Sequence, residues 1–395
     1  MATLKAASVK AGSVKAGGAA KGKASGPVLP EKAAPGAGGA GKHKRRRRLD
    51  ETRGGMDHAE LLSAVCKYFC DGKTPSEIAA IMAEKHNILD MKREEPYQIL
   101  ARAAALRRLR FMAPTEIVLK ERVREKCPWL DEVDIVHTGV FTPIADHVAA
   151  MLVRMLQRRA ARGKDEVHVG LAGGHSMRKV CRAFAFLMSQ RPPGMPKKLI
   201  LHAMAAGFDV EDPMTAPTTF SAYFADDTGM PLADKFVGLY APTLMDRDEI
   251  DKMKSLEGIE EALSQASQLD IVVTSASVWS DKHSLLRQHL ESKSPGSLKA
   301  LQDRGCIGDM FWRPLNKQGP IEVPEERMRT LSLMELGQFP EFIRKGGQVL
   351  LVLGPCGECH LPKGEMMEAV LTMESKLITH LVADSRTTRE VIERI

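Results

Sequence analysis

The sequence predicts an α/β fold with a mostly parallel, doubly wound sheet, preceded by a small helical unit and a disordered basic tail. Three observations predict it. From about residue 115 onward, short runs rich in Val, Ile and Leu alternate with stretches of helical period. Strands that read as unbroken apolar runs are covered on both faces, as in a parallel sheet between two helical layers. Before that point, residues 57–113 carry three helical periods and no strand pattern, and residues 1–50 are dominated by Ala, Gly, Lys, Ser and Pro with no aromatic residue.

The chain has 395 residues, 44% of them hydrophobic, enough for two or three domains with a sizeable core. No apolar run approaches the ~18–20 residues of a membrane span, so no membrane partner is expected. The N-terminus lacks an apolar signal core with a small-residue cleavage site, which points to a cytoplasmic protein. Seven scattered cysteines, an odd number, fit a reducing compartment better than a disulfide framework. Aromatic content of 5% excludes broad base-stacking surfaces.

The net charge of +7 is unevenly placed. Residues 1–48 hold twelve Lys and Arg, ending in Arg45, Arg46, Arg47 and Arg48, against Glu31 alone. The rest of the chain has 45 basic and 49 acidic groups and is mildly acidic. Such a tail cannot bury enough apolar surface to offset its ordering entropy. It is expected to hold phosphate backbones without reading sequence, or else simply to solubilise the chain.

In the helical unit, Ala59–Cys70 places Leu61, Leu62, Val65 and Phe69 on one face. Asp71-Gly72-Lys73 makes a turn, and Thr74 with Pro75 forms an N-cap and first helical position for a helix burying Ile78, Ile81 and Met82. A third helix from Pro96 to Phe111 has Ile99, Leu100, Ala103 and Leu106 on one side and Arg102, Arg107, Arg108 and Arg110 off it. Cys66 and Cys70, one turn apart among apolar neighbours, read as core. Three short helices with a turn after the first point to a helix-turn-helix module, with Arg102, Arg107 and Arg108 facing DNA.

Beyond residue 115 the expected strands are Val133–Thr138, Val167–Leu171, Leu199–Met204, Phe236–Tyr240, Ile271–Thr274, Val349–Leu353 and His380–Val382. The expected helices are Asp146–Ala161, Met177–Gln190, Gly258–Gln268, Leu285–Leu290, Leu333–Leu336, Gly364–Met373 and Thr387–Ile395. In such a sheet ligands lie beyond the carboxyl ends of the strands, so a site is expected among the loops there.

The foremost loop is Gly170-Leu171-Ala172-Gly173-Gly174-His175-Ser176-Met177, a strand passing through glycines into a helix. Glycine amides can approach an anion, and Ser176 adds a hydroxyl at the positive end of the helix dipole. A plain tight turn would need the same glycines. The loop matches neither a Walker loop nor a G-x-G-x-x-G fingerprint. Cys356-Gly357-Glu358-Cys359-His360 has the C-x-x-C-H spacing of covalent haem attachment, which requires an exported protein. It has no fourth ligand nearby for a closed zinc site. No metal and no cofactor is therefore expected, and the segment reads as a ligand-side loop leading to Lys363. Asp226-Asp227 and Ser280-Asp281-Lys282-His283 read as solvated loop or, alternatively, as polar site residues.

Taken in order, these pieces resemble the SorC family of bacterial transcriptional regulators, with an N-terminal helix-turn-helix and a C-terminal sugar-phosphate effector domain similar to ribose-5-phosphate isomerase and glucosamine-6-phosphate deaminase. The resemblance runs over about residues 57–395. It rests on Leu119–Val136, on Gly170–Met177 with His175 and Ser176 in the family's Arg and Thr places, and on Asp270–Ser277. It continues through Gly305-Cys306-Ile307-Gly308-Asp309, Gly354–Val370 with Lys363, and Leu381–Asp384. It implies an effector phosphate held at Gly173, Gly174, His175 and Ser176. Asp309 would accept sugar hydroxyls, Lys363 would supply charge, and Ser275 and Ser277 would line the pocket.

The expected domains are a tail (1–50), a helix-turn-helix-like unit (57–113) and a SorC-type effector domain (115–395). The expected protein is a cytoplasmic, nucleoid-associated DNA-binding regulator rather than an enzyme, a homo-oligomer (dimer or tetramer) switched by a phosphorylated sugar. The alternatives are a sugar-phosphate isomerase or deaminase, and a sugar-phosphate-binding module tethered to nucleic acid by its tail alone.

Overall fold

The computed structural model describes residues 55–56, 58–105, 112–207, 212–225, 231–242, 245–310, 312–321 and 330–395. The tail with Arg45–Arg48, and also Arg107, Arg108, Asp226 and Asp227, lie outside the described residues. The chain divides into two units, Met1–Leu109 and Arg110–Ile395.

The first unit contains α1 (His58–Cys70), α2 (Pro75–His86) and α3 (Glu95–Ala105). Thr74 caps α2 as expected: its hydroxyl accepts the Glu77 amide, and the Glu77 carboxylate accepts the Thr74 amide. That reciprocal pair satisfies two donors that helix geometry otherwise leaves open. The helix ends where Asn87 adopts a left-handed conformation. Leu61, Leu62, Val65, Ile78, Met82 and Ile99 form the core, joined by Ile88 and Met91 from the long α2–α3 connection.

The second unit begins with α4 (Ile117–Lys126), β1 (Glu132–Val136), α5 (Phe141–Ala161), β2 (Glu166–Leu171), α6 (His175–Ser189), β3 (Lys198–Ala203), α7 (Ser221–Phe224) and β4 (Lys235–Val237). It continues with α8 (Arg247–Lys254), α9 (Ile259–Ser264), β5 (Ile271–Ser275), α10 (Leu285–Lys293) and α11 (Pro295–Asp303). A small antiparallel sheet follows: β6 (Gly308–Met310), β7 (Arg313–Asn316) and β8 (Gly319–Pro320). The chain ends with α12 (Phe339–Arg344), β9 (Gln348–Leu353), α13 (Gly364–Thr372), β10 (His380–Asp384) and α14 (Ser385–Ile392).

The main sheet has seven strands in the order β1-β10-β9-β5-β2-β3-β4, every pair parallel. All five residues of β10 are buried, as are Val349–Leu353 of β9. Successive side chains on a strand point to opposite faces, so unbroken burial means that both faces are covered. Each of the seven expected strands is present.

Differences from the sequence reading are local. α5 starts at Phe141 rather than Asp146, with Pro143 in its first turn, where a missing amide costs nothing. The fourth strand is confined to Lys235–Val237. The stretch Leu333–Leu336 is not a helix: the Leu333 amide bonds the Met204 carbonyl and Ser332 pairs with Ala205, so sheet-like pairing wins over local period. A 3-10 turn, Leu336–Gln338, then leads into α12. Helices α7, α8, α11 and α12 and the β6–β8 sheet had no sequence expectation.

Candidate functional site

Strand order locates the site. From β2 the chain steps outward to β3 and β4, then returns to the other side of β2 as β5 before stepping to β9 and β10. The strand order therefore reverses between β2 and β5, and the connections leaving their carboxyl ends run in opposite directions along the sheet. A crevice opens at such a point. Here it is a cavity of about 670 Å³, lined by the segment after β2, the segment after β5, the start of the small sheet, and the segment after β9. Gly173, Gly174, His175, Ser176, Ser275, Ser277, Asp309 and Lys363, scattered over 190 residues of chain, all line it.

The glycine loop has identifiable structural work. Gly174 sits at φ 102° just before α6, in the region that favours glycine. A Cβ on Gly173 would lie 2.8 Å from the Thr215 carbonyl oxygen and 2.9 Å from the Pro217 ring. The Gly174 amide, expected at the anion position, instead bonds the Thr215 carbonyl at 2.8 Å. The first turn of α6 opens on the cavity with no side chain capping it. Ser176 lies in that turn, and His175 pairs with Asp212 at 3.4 Å.

Three further cations that had no sequence expectation face the same cavity. Arg178, Lys179 and Arg182 also line the cavity, so His175, 178, 179 and 182 form a stripe at i, i+3, i+4 and i+7 along α6. The signal was legible in that spacing. Arg178 is held by the Tyr223 hydroxyl, 3.2 Å from its Nε. A cation one turn beyond His175 thus reaches the cavity.

Opposite α6 lies a hydrogen-bonded cluster. The Ser277 hydroxyl donates to the Asp309 carboxylate and sits 3.0 Å from the Ser284 hydroxyl, and the Trp312 amide donates to the other Asp309 oxygen at 3.1 Å. Burial pushes the Asp309 carboxyl above the usual range, while Ser277, Trp312, Lys363 and Ser284 pull it back. Lys363 is buried, donates to the Ala276 carbonyl at 2.6 Å and is lowered by burial, against the pull of Asp281, Cys356, Asp309 and Asp384. Asp309 and Lys363 thus stiffen the cavity wall through protein partners as well as facing the cavity.

The segment 356–360 stands at the cavity rim. The Cys356 amide bonds the Leu361 carbonyl, and His360 is left-handed at φ 56°, closing a tight turn. Asp281 and His283, from the segment after β5, meet Cys356 and Cys359 there, because β5 and β9 are paired neighbours in the sheet. Burial, then the hydrogen bond with Asp281, push the Cys356 thiol up to about 11. Cys66 packs part-buried against the core of the first unit.

On the first unit, Arg102 is exposed on α3. No helix among the described residues is long and apolar enough to cross a membrane.

The sequence profile described as "Putative sugar-binding domain" matches residues 117–393. Among solved structures, the chain is similar to the full-length sorbitol operon regulator SorC from Klebsiella pneumoniae, at 14% identity and TM-score 0.57, covering 85% of this chain and 99% of that one. A DeoR family transcriptional regulator from Listeria monocytogenes aligns at 16% identity and TM-score 0.52, covering 70% and 98%. A transcriptional regulator from Streptococcus pneumoniae TIGR4 gives 16% and 0.52, covering 70% and 97%. At these identities the likeness establishes the fold. No curated protein matches the sequence.

Proposed function

Since the chain belongs to the SorC-type family of sugar-binding domains, we propose that it is a DNA-binding transcriptional regulator whose cavity at the β2/β5 reversal takes a phosphorylated sugar. One observation carries the reading. The opening turn of α6 with Ser176, its basic stripe and the Ser277–Ser284–Asp309 cluster all face one cavity of about 670 Å³, within the usual range for a small-molecule site. The first turn and the Arg178, Lys179 and Arg182 cations suit a phosphate, since amides, helix dipole and guanidinium all favour negative charge. The hydroxyl and carboxylate cluster suits sugar hydroxyls.

DNA contact falls to the helical unit through Arg102, Arg107 and Arg108, and to the tail through Arg45–Arg48 by counterion release. The sequence-based domains 1–50, 57–113 and 115–395 then read as tail, DNA module and effector module. A homo-oligomer, dimer or tetramer, in the cytoplasm near the nucleoid fits operators read as paired half-sites. The effector acts by differential affinity for two arrangements of the protein.

The test is a thermal-shift panel of phosphorylated and unphosphorylated sugars on the full chain and on Ser176→Asp. A phosphosugar is expected to raise the melting temperature of the native protein. Ser176→Asp should abolish that shift while leaving the unliganded protein as stable as before, because an acidic residue in the first turn suits the helix dipole. Equal stabilisation by unphosphorylated sugars, or full binding by Ser176→Asp, would overturn the phosphate position. Turnover of the ligand, lost in Asp309→Asn, would favour the isomerase or deaminase alternative.

A further inference from the structure

We propose that Asp281, His283, Cys356 and Cys359 bind one zinc ion, which clamps together the two segments that leave β5 and β9 at the rim of the cavity. The four side chains each offer one ligand atom, and these atoms all lie within 4.8 Å of one another. Three of the six separations are those of a coordination shell. His283 Nδ1 is 3.5 Å from Cys356 Sγ, Cys359 Sγ is 3.5 Å from Asp281 Oδ1, and His283 Nδ1 is 3.2 Å from Asp281 Oδ1. A tetrahedral zinc with ordinary bond lengths sets its ligands apart by about 3.5 Å for N to S, about 3.5 Å for O to S and about 3.3 Å for N to O.

The donor chemistry selects the ion. Two thiolates favour a borderline-soft cation over magnesium or calcium, which take oxygen ligands. An imidazole and a carboxylate beside them fit zinc better than copper(I), and a tetrahedral four-ligand set has no open position, so the ion is structural.

The local fold holds the donors ready. The Cys356–Cys359 turn is closed by the Cys356 amide on the Leu361 carbonyl and the His360 amide on the Cys356 carbonyl. The Asp281 carboxylate accepts the His283 amide at 2.9 Å, which fixes both ligands of that segment. Asp281 and Cys356 are buried, His283 is half-buried and Cys359 is exposed, which leaves the ion a route in from solvent. Each half of the site supplies only two ligands. Neither the C-x-x-C turn nor the D-x-H segment completes a shell until the sheet sets β5 beside β9.

The site stands on its ligands alone and does not depend on what occupies the cavity. Full-length protein purified under reducing conditions without added metal should contain about one zinc per chain by elemental analysis, and Cys356→Ser/Cys359→Ser should contain none. Should that variant fail to fold, cobalt exchange on the unaltered chain decides. After removal of zinc by a chelator, Co2+ should give the visible bands of tetrahedral cobalt and the near-ultraviolet band of thiolate ligation, both reversed by Zn2+. Chelation should also lower the melting temperature, restored by Zn2+ and not by Mg2+. Metal-free protein that takes up no cobalt after full reduction would overturn the proposal, as would equal zinc content in the folded double variant.

Discussion

Replacing Gly308 by alanine tests how the β6 strand is seated against the cavity wall. A Cβ there would fall 2.1 Å from the Ser277 carbonyl oxygen and 2.8 Å from the Met366 methyl. The first distance is about 1.3 Å short of the 3.4 Å at which ordinary contact begins. The methionine can swing aside, but the Ser277 carbonyl cannot. Its segment is stitched to β6 by the Ser277 amide on the Asp309 carbonyl (2.9 Å), the Trp279 amide on the Ile307 carbonyl (2.7 Å) and the Ala276–Met310 bridge. Relief therefore breaks about two hydrogen bonds at ~1 kcal/mol each and adds ~1–3 kcal/mol of overpacking. The total, about 3–5 kcal/mol, corresponds to a fall in melting temperature on the order of 10 °C for a unit of this size. The same displacement pulls Ser277 off Asp309, so affinity for the stabilising phosphosugar should fall as well. Calorimetry of unliganded and liganded protein reads both effects. Gly296→Ala is the control: nothing lies within 4 Å of its Cβ, and in α11 it should add ~0.5–1 kcal/mol. A Gly308→Ala protein as stable as the parent would refute the close approach of β6 to residues 276–279.

Two further outcomes follow from other parts of the fold. His202 and His380 are fully buried, and burial is the main cause that lowers both to about 4. The unfolded chain, at about 6.5, takes up protons first, so this contribution is complete above pH 6.5 and is lost as pH falls towards 4, by about 3 kcal/mol per histidine. Urea midpoints that do not fall between about pH 7 and pH 4.5 would contradict it. In the first unit, Thr74→Ala removes the hydroxyl half of the capping pair, leaving the Glu77 amide without its cap, and should cost about 1 kcal/mol, read as faster amide exchange in α2 with the second unit unaffected. Unchanged exchange in α2 would show that the cap adds nothing there.

The seven strands of the main sheet, the α2 cap and the position of the glycine loop were legible from the chain alone, because each depends on near neighbours in it. The short apolar run Val349–Leu353 favours a strand, and Thr74-Pro75 followed by Glu77 favours the start of a helix, on local grounds. Motif resemblance extended this to Asp309 and Lys363, which the structure brings to the same cavity as Ser176. What the alanine-glycine-rich loop does in detail was not legible: Gly174 spends its amide on Thr215, a partner 41 residues away. Nor was the meaning of the stripe at 178, 179 and 182, since period alone shows that these side chains share a face and not what the face looks onto. That Asp281 and His283 stand against Cys356 and Cys359 follows from the pairing of distant strands. Strands that follow one another in a parallel sheet need not be close in sequence. Here β5 and β9 pair across the whole insertion of α10, α11 and the small sheet. Ligands that look incomplete along the chain are completed by that pairing, because loops leaving adjacent parallel strands must emerge side by side at the same edge.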